Sequence, residues 1–332
     1  MNPRAPTIVD MHSHYYGGLV DALKRRTSRP TVTVNQTGQP VLNAMTASTV
    51  MTSNYTDIDA RIAYIDRAGI QQQLLTFPGS LGVDVLPIDE SWHAVVDYND
   101  HLAEVCRRSN NRFIGLAGLP LADMAKATEE MKRARRALGL IGAILPGNYF
   151  LSLQSAEELT PVFAAADAEG ALVMVHPGLM PDENSPEPYP DNSILRASAL
   201  NLQASLAHMA LTLIAGRFPE RYPNVTFQVV NLGGTLPFIM ERIDAIAASR
   251  ELPAKLTVEG LRHLVYDSAS LGVRALEIAV KVMGADRLML GTDCPIFEPA
   301  SAADCVLRAD LSPDEKAAIL GGTAQRLVAA LS

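Results

Sequence analysis

The chain has 332 residues, of which 48% are hydrophobic and 19% charged, and it carries a formal net charge of −8 at pH 7. That composition excludes a disordered or fibrous protein, and the acidic balance argues against a nucleic-acid surface and a polybasic membrane anchor. The scattered cysteines Cys106, Cys294 and Cys305 exclude a disulfide framework, and the opening MNPRAPTIVD lacks the apolar core of a signal peptide. With no run reading as long enough to span a bilayer, a cytoplasmic protein without membrane or nucleic-acid partners is expected.

Short β-rich runs recur from end to end: TIVDMH, QQLLTF, RFIGLAG, LIGAIL, ALVMVH, VTFQVVN, HLVYDS and RLMLGT. Each is followed by a segment of helical character. The first run closes on VDMHSHYYGG, where His12 and His14 fall two positions apart and so project from the same face of a strand. Gly17 to about Tyr55, rich in Thr, Ser, Pro and Gly, then reads as an irregular insertion. After the third run, Ala127, Met131, Ala134 and Leu138 recur at helical spacing among Lys and Arg, the pattern of one buried stripe on a solvated helix. After the fourth, Leu159, Val162, Phe163 and Ala166 repeat it, and the helix should stop near Gly170. A second irregular stretch, Pro177 to Asn192, follows the fifth run. The runs are nearly all apolar without alternation, as parallel strands covered on both faces are. Eight such units imply a closed (β/α)8 barrel, one domain over residues 1–332, with the two irregular stretches as candidate lids at the C-terminal ends of strands one and five.

The polar residues at strand ends then converge on one mouth. Strand one ends in His12 and His14, strand five in His176, strand six in Asn231 and strand eight in Asp293. A polar residue closing an apolar run is costly to bury without a partner, and three histidines with a carboxylate make a complete ligand set for one borderline divalent cation such as Zn²⁺. Asp10 shares the parity of the two histidines and is a candidate hydrogen-bond acceptor for a ligand imidazole. Tyr15 and Tyr16 follow the ligands and are candidates to line the pocket. His93, His101, His208 and His263 fall outside the strand ends.

VDMHSHYY, ARIAYIDRAGI, RFIGLAGLPLAD, VMVHPG, NLGGTLPFIMERID and LMLGTDCP together resemble the amidohydrolase superfamily, in the branch of 2-amino-3-carboxymuconate 6-semialdehyde decarboxylase and the aromatic-acid decarboxylases. The resemblance covers essentially the whole chain. It implies a single metal held by His12, His14, His176 and Asp293, Zn²⁺ or Mn²⁺, one per chain. It also implies that Arg242 reaches the substrate carboxylate in a neighbouring subunit, which makes a homodimer the minimal active unit. Two positions depart from the family pattern: Asn231 stands where the family has a histidine, and Thr52 where it has a substrate-binding arginine. An amide cannot carry a proton at neutral pH, so general-base work at Asn231 is lost. The lysine and histidine that a second metal would need are missing from AILPGN and VVNLGG.

Two chemistries suit these groups. In non-oxidative decarboxylation of a small aromatic or unsaturated acid, the metal takes the carboxylate, Asp293 moves a proton to carbon, and Asn231, Arg242 and Tyr15 bind the substrate. In the alternative, the same centre hydrolyses an ester, lactone or C–C bond. A binding or scaffold protein is disfavoured, because all four candidate ligands are present.

Overall fold

The computed structural model describes residues 7–45, 47–184, 195–252, 258–270 and 272–331. Eight short parallel strands form its centre: β1 (Val9–Asp10), β2 (Gln72–Thr76), β3 (Phe113–Leu116), β4 (Gly142–Pro146), β5 (Leu172–His176), β6 (Thr226–Val229), β7 (Val265–Asp267) and β8 (Leu288–Met289). They pair in the order β1-β2-β3 and β4-β5-β6-β7-β8. Backbone hydrogen bonds join the two sheets into a ring. Ala117 N donates to Gly142 O (2.9 Å) between β3 and β4, and Met11 N donates to Leu290 O (2.8 Å) between β8 and β1. The chain is therefore the closed (β/α)8 barrel its alternation implies. β4 and β5 are buried at every position, which is why these runs show no polar alternation.

The connecting helices follow their sequence patterns. Met124–Arg136 starts at Asp123, whose side chain accepts from Ala125 N and Lys126 N, and it buries Ala127, Met131 and Ala134. Leu138 lies past its end and is half-buried. Thr160–Glu169 stops at Gly170, in the left-handed region at φ 57°, where a residue without a Cβ is unstrained.

The segment between β1 and β2 is more ordered than its composition suggests. After the short helix Val20–Lys24, Thr31–Val34, Pro40–Asn43 and Ser48–Val50 form a three-stranded antiparallel sheet. The turn of its first hairpin is held by Asn35 Oδ1, which accepts from Thr37 N and Gln39 N. Of the second expected lid, residues 185–192 lie outside the described residues.

The helix Leu195–Ala215 corrects another expectation. Among the described residues it is long and apolar enough to cross a membrane. It passes that test because Leu206, Met209, Ala210, Leu213 and Ile214 pack inward on the barrel, and one apolar face on a long helix raises its mean hydropathy.

Candidate metal centre

The first, fifth and eighth strands each place a candidate ligand at the C-terminal mouth. The strand direction of β1 continues past Asp10, so His12 and His14 both turn inward, while His176 is the last residue of β5. Asp293 follows β8 with its backbone at φ 56°, a strained conformation for a residue with a side chain, of the kind functional sites hold. One donor atom from each of the four lies within 4.8 Å of all the others. His14 Nε2 is 3.1 Å from His176 Nε2 and 3.2 Å from Asp293 Oδ1, and His12 Nε2 is 3.7 Å from the same oxygen. The three histidines are buried, and the Asp293 side chain is 15% exposed.

The far nitrogen of each ring fixes what the near one offers. His176 Nδ1 lies 3.0 Å from Pro177 O and His12 Nδ1 3.0 Å from Asp267 Oδ1, both pure acceptors. Each Nδ1 therefore carries the hydrogen, and a neutral ring presents a lone pair at Nε2. His14 Nδ1 is 2.8 Å from Thr76 Oγ1. Burial, reinforced by the neighbouring His14 and His12, pushes His176 well below the usual histidine range, and burial also lowers His14. Burial opposes charging His12 too, but the charge and hydrogen bond of Asp267, with Asp293 and Asp10, outweigh it and raise His12 to about 9. A divalent cation could take the His176 Nε2 lone pair together with that of His14 Nε2, 3.1 Å away. His12 Nε2 is buried without any hydrogen-bond partner, and a cation there would compete with its proton. The donor set thus fits one divalent ion of intermediate softness.

Asp267, at the end of β7, is the residue that sequence reasoning missed. Its Oδ1 faces His12 Nδ1 and accepts from Asn231 N (3.2 Å) and Ala269 N (3.1 Å), and its Oδ2 accepts from Gln228 Nε2 (2.9 Å). Gly291 makes room for it: a Cβ there would sit 2.6 Å from Asp267 Oδ1. The signal was the polar end of HLVYDS, the same strand-end rule that picked out His176. Asp10, expected to hold a ligand imidazole, does not. It accepts from His12 N, Gln73 Nε2, Thr292 N and Thr292 Oγ1, so it ties β1, β2 and the end of β8 together beneath the ligands. Parity gave its direction but not its partners. Burial, against hydrogen bonds from Thr292, Gln73 and His12 N and the nearby His12 charge, raises it to about 6.

The remaining candidates separate clearly. Asn231, buried at φ 54°, opens the turn after β6, and its Oδ1 has no partner. Its backbone bond to Asp267 puts it one residue from the His12 support. Tyr15 is turned the other way: its hydroxyl donates to Thr56 O (3.0 Å) and its ring stacks on His101 at 5.9 Å. The helical layer, not the pocket, holds Tyr15, because odd positions after His12 and His14 point outward. Tyr16 packs on Tyr55 at 5.1 Å, and Asp293 adds to the burial that raises its phenol. Arg242 is exposed on the helix Leu236–Ser249. Thr52 is exposed, as are His93, His101, His208 and His263.

A closed parallel barrel gathering three imidazoles and a carboxylate at its C-terminal mouth is the architecture of a metal-dependent barrel enzyme. The amidohydrolase family model matches residues 9–329, and the chain belongs to that family. It is similar to the 2-amino-3-carboxymuconate-6-semialdehyde decarboxylase of Dictyostelium discoideum, 28% identical over 282 residues that cover 82% of this chain and 76% of the relative. Its fold is that of the solved apo IDCase from Metarhizium anisopliae, with a TM-score of 0.83 at 21% identity over 100% of this chain and 99% of that one. It is also that of a dihydroxybenzoic acid decarboxylase from Polaromonas sp. JS666 solved with manganese and the inhibitor 2-nitroresorcinol. There the TM-score is 0.72 at 21% identity, over 97% of each chain.

Proposed function

We propose that the protein is a metal-dependent non-oxidative decarboxylase, a carboxy-lyase acting on a small aromatic or unsaturated acid in aromatic catabolism. The observation that carries this reading is the identity of the proton carriers at the mouth. His14 and His176 are held neutral by burial, β6 ends in the amide Asn231, and Asp293 is left as the one ligand with a partly open carboxylate. Decarboxylation asks for that much: one group that takes a proton and returns it to carbon.

His12, His14, His176 and Asp293 would hold the ion, Zn²⁺ as the first choice and Mn²⁺ as the second, one per chain. When bound, it supplies the positive charge that anchors a substrate carboxylate and withdraws electrons from the adjoining carbon. The chain's residues do the rest. Asp293 takes the acid's proton and delivers it to the ring or alkene carbon bearing the carboxylate. The C–C bond then breaks, its electron pair restores the π bond between the protonated carbon and its neighbour, and CO₂ leaves, so no water is consumed. The Asn231 amide orients the substrate beside Asp267.

Arg242 completes the site from a second copy of the chain. Phe238, Arg242 and Ile246 follow one another at helical spacing of four, and Phe238 and Ile246 are 85% and 46% exposed, so the arginine lies in an apolar stripe suited to a homodimer. The cytoplasmic location belongs to the same proposal, and the three free thiols suit a reducing compartment.

The test is a screen of hydroxybenzoates, muconate semialdehydes, lactones and vinylogous diketones in ¹⁸O-labelled water, following CO₂ and product oxygen together. CO₂ release without solvent oxygen in the organic product is expected. An acid product carrying ¹⁸O with no CO₂ would replace this reading with hydrolysis. Mixed dimers of an Arg242→Ala chain with an Asp293→Ala chain should regain part of the activity, and none regained in verified mixed dimers removes the arginine from the site.

A further inference from the structure

Across the mouth from Asp293 lies a carboxyl that none of the chemistry above uses. Asp84 follows β2 in the apolar sequence Leu81-Gly82-Val83-Asp84-Val85, every member of which is buried. Both of its side-chain oxygens are enclosed without a hydrogen-bond partner. A carboxyl in that condition is destabilising for want of a partner, and such a group asks for an explanation in what meets it.

Its position is fixed by three contacts. Leu121 N, from the segment after β3, donates to Asp84 O at 2.8 Å. Asp84 Oδ2 lies 3.7 Å from where a Cβ on Gly79 would stand, and the next neighbour of that point is Ile144 Cδ1 of β4. Gly79 O in turn lies 3.6 Å from the corresponding point on Gly178, two residues beyond the ligand His176. The stretch after β2 therefore crosses the ends of β3 and β4 to meet the end of β5, with Asp84 beneath it. In a ring of eight strands β4 stands opposite β8, so the orphan carboxyl and Asp293 flank the mouth from opposite sides.

We propose that Asp84 is a specificity-determining residue whose carboxyl donates a hydrogen bond to an uncharged oxygen substituent of the substrate, a phenol, ether or carbonyl, far from the carboxylate held by the metal. This inference rests on the decarboxylase reading for the identity of the ligand as a small acid. Burial, opposed only by the residue's own backbone N–H, pushes Asp84 up to about 8, so near neutral pH it is mainly the protonated form and a donor. Among the described residues, the titratable group that interacts with it is the Tyr149 phenol after β4, raised by burial with Glu158 and Asp84 adding to it. No cation faces Asp84 in that set, so a second carboxylate placed there would be rejected while a hydroxyl or carbonyl would be accepted.

The experiment uses the manganese-loaded whole protein, wild type and the variants Asp84→Asn and Asp84→Leu, with benzoate, the monohydroxybenzoates, 2,6-dihydroxybenzoate and isophthalate as probes. Infrared difference spectra at pH 7 should show the C=O stretch of a protonated carboxyl in wild type and lose it in Asp84→Asn. That band should move to lower frequency when a hydroxybenzoate binds and stay in place with benzoate. Equilibrium binding should favour the hydroxylated acid over benzoate by about tenfold in wild type, the scale of one hydrogen bond. Asp84→Asn keeps a donor and should keep most of that preference, and Asp84→Leu should lose it with its metal content unchanged. A band that no hydroxylated acid moves, as an enclosed water partner would leave it, overturns the proposal, and so does an unaltered preference in Asp84→Leu. If the leucine variant fails to fold, the wild-type spectra decide alone. A moved band without CO₂ release defeats the decarboxylase reading and leaves Asp84 standing. CO₂ release with an unmoved band does the reverse.

Discussion

The two sides of the barrel mouth handle buried charge in opposite ways. On the side of β1, β5 and β8, every ligand ring is braced from behind: His12 by Asp267, His14 by Thr76, His176 by Pro177 O. On the side of β3 and β4, Asp84 has no such support. The braced side is built to hold one geometry regardless of the substrate. The unbraced side leaves a polar group whose satisfaction depends on what enters. A barrel with this division fixes its chemistry on one arc and its selectivity on the other, and substitutions on the two arcs should differ in kind.

The largest effect belongs to the braced arc. Asp293→Asn should lower turnover by on the order of 10³-fold or more, since it removes both the proton carrier and a ligand charge. His12→Ala should empty the site by elemental analysis, and full metal occupancy in that variant would show the ligands misassigned. Next comes the brace itself. Asp267→Asn should weaken metal affinity by about 10–100-fold in a chelator competition while leaving the melting temperature near wild type. Equal affinity in the two proteins would reduce Asp267 to a packing role.

Asn231→Ala should cost about 0.5–1.5 kcal/mol in kcat/KM, one hydrogen bond's worth, because an amide at the end of β6 orients without transferring a proton. A loss matching Asp293→Asn would mean that Asn231 takes part in the chemistry. A different kind of effect, on stability, lies on the unbraced arc. Folding raises Asp84 from 3.8 to about 8, so the native state keeps a proton that the unfolded chain has released over that window. Stability therefore falls as pH rises from about 4 to about 8. Asp84→Leu should remove that component and raise the melting temperature at pH 8 by a few degrees. A pH–stability curve parallel to wild type would show that Asp84 finds a partner in solution.

The sequence made the braced arc readable because its residues break a pattern. His12, His14, His176 and Asp293 each end an apolar run, and in a parallel barrel every run ends at the same mouth. Asp267 obeyed the rule equally, at the end of HLVYDS, but it lies outside the cluster of four and only its contact with His12 reveals the role. Asp10 was harder to read for a related reason: strand parity says which way a side chain faces and nothing about which groups it meets there. The sheet at 31–50 was hidden by its composition, since Pro, Gly, Thr and Ser mark loops even where TVTV and PVLN can pair. Asp84 offered only one acid among apolar neighbours, and whether such a group is exposed or enclosed depends on segments after β3 and β4 that are far from it in sequence.

The seam where β8 meets β1 gives the metal centre a place in time as well as in space. His14 N bonds Cys294 O at that seam, and the ligands on either side of it come from the first and the last strands of the ring. During synthesis the early histidines must wait, displayed on an unclosed sheet, until the eighth strand has left the ribosome. An ion held by all four residues would thus be acquired only after translation has passed Asp293. A ribosome stalled before that point would carry a nascent chain with seven of the eight strands and no complete centre.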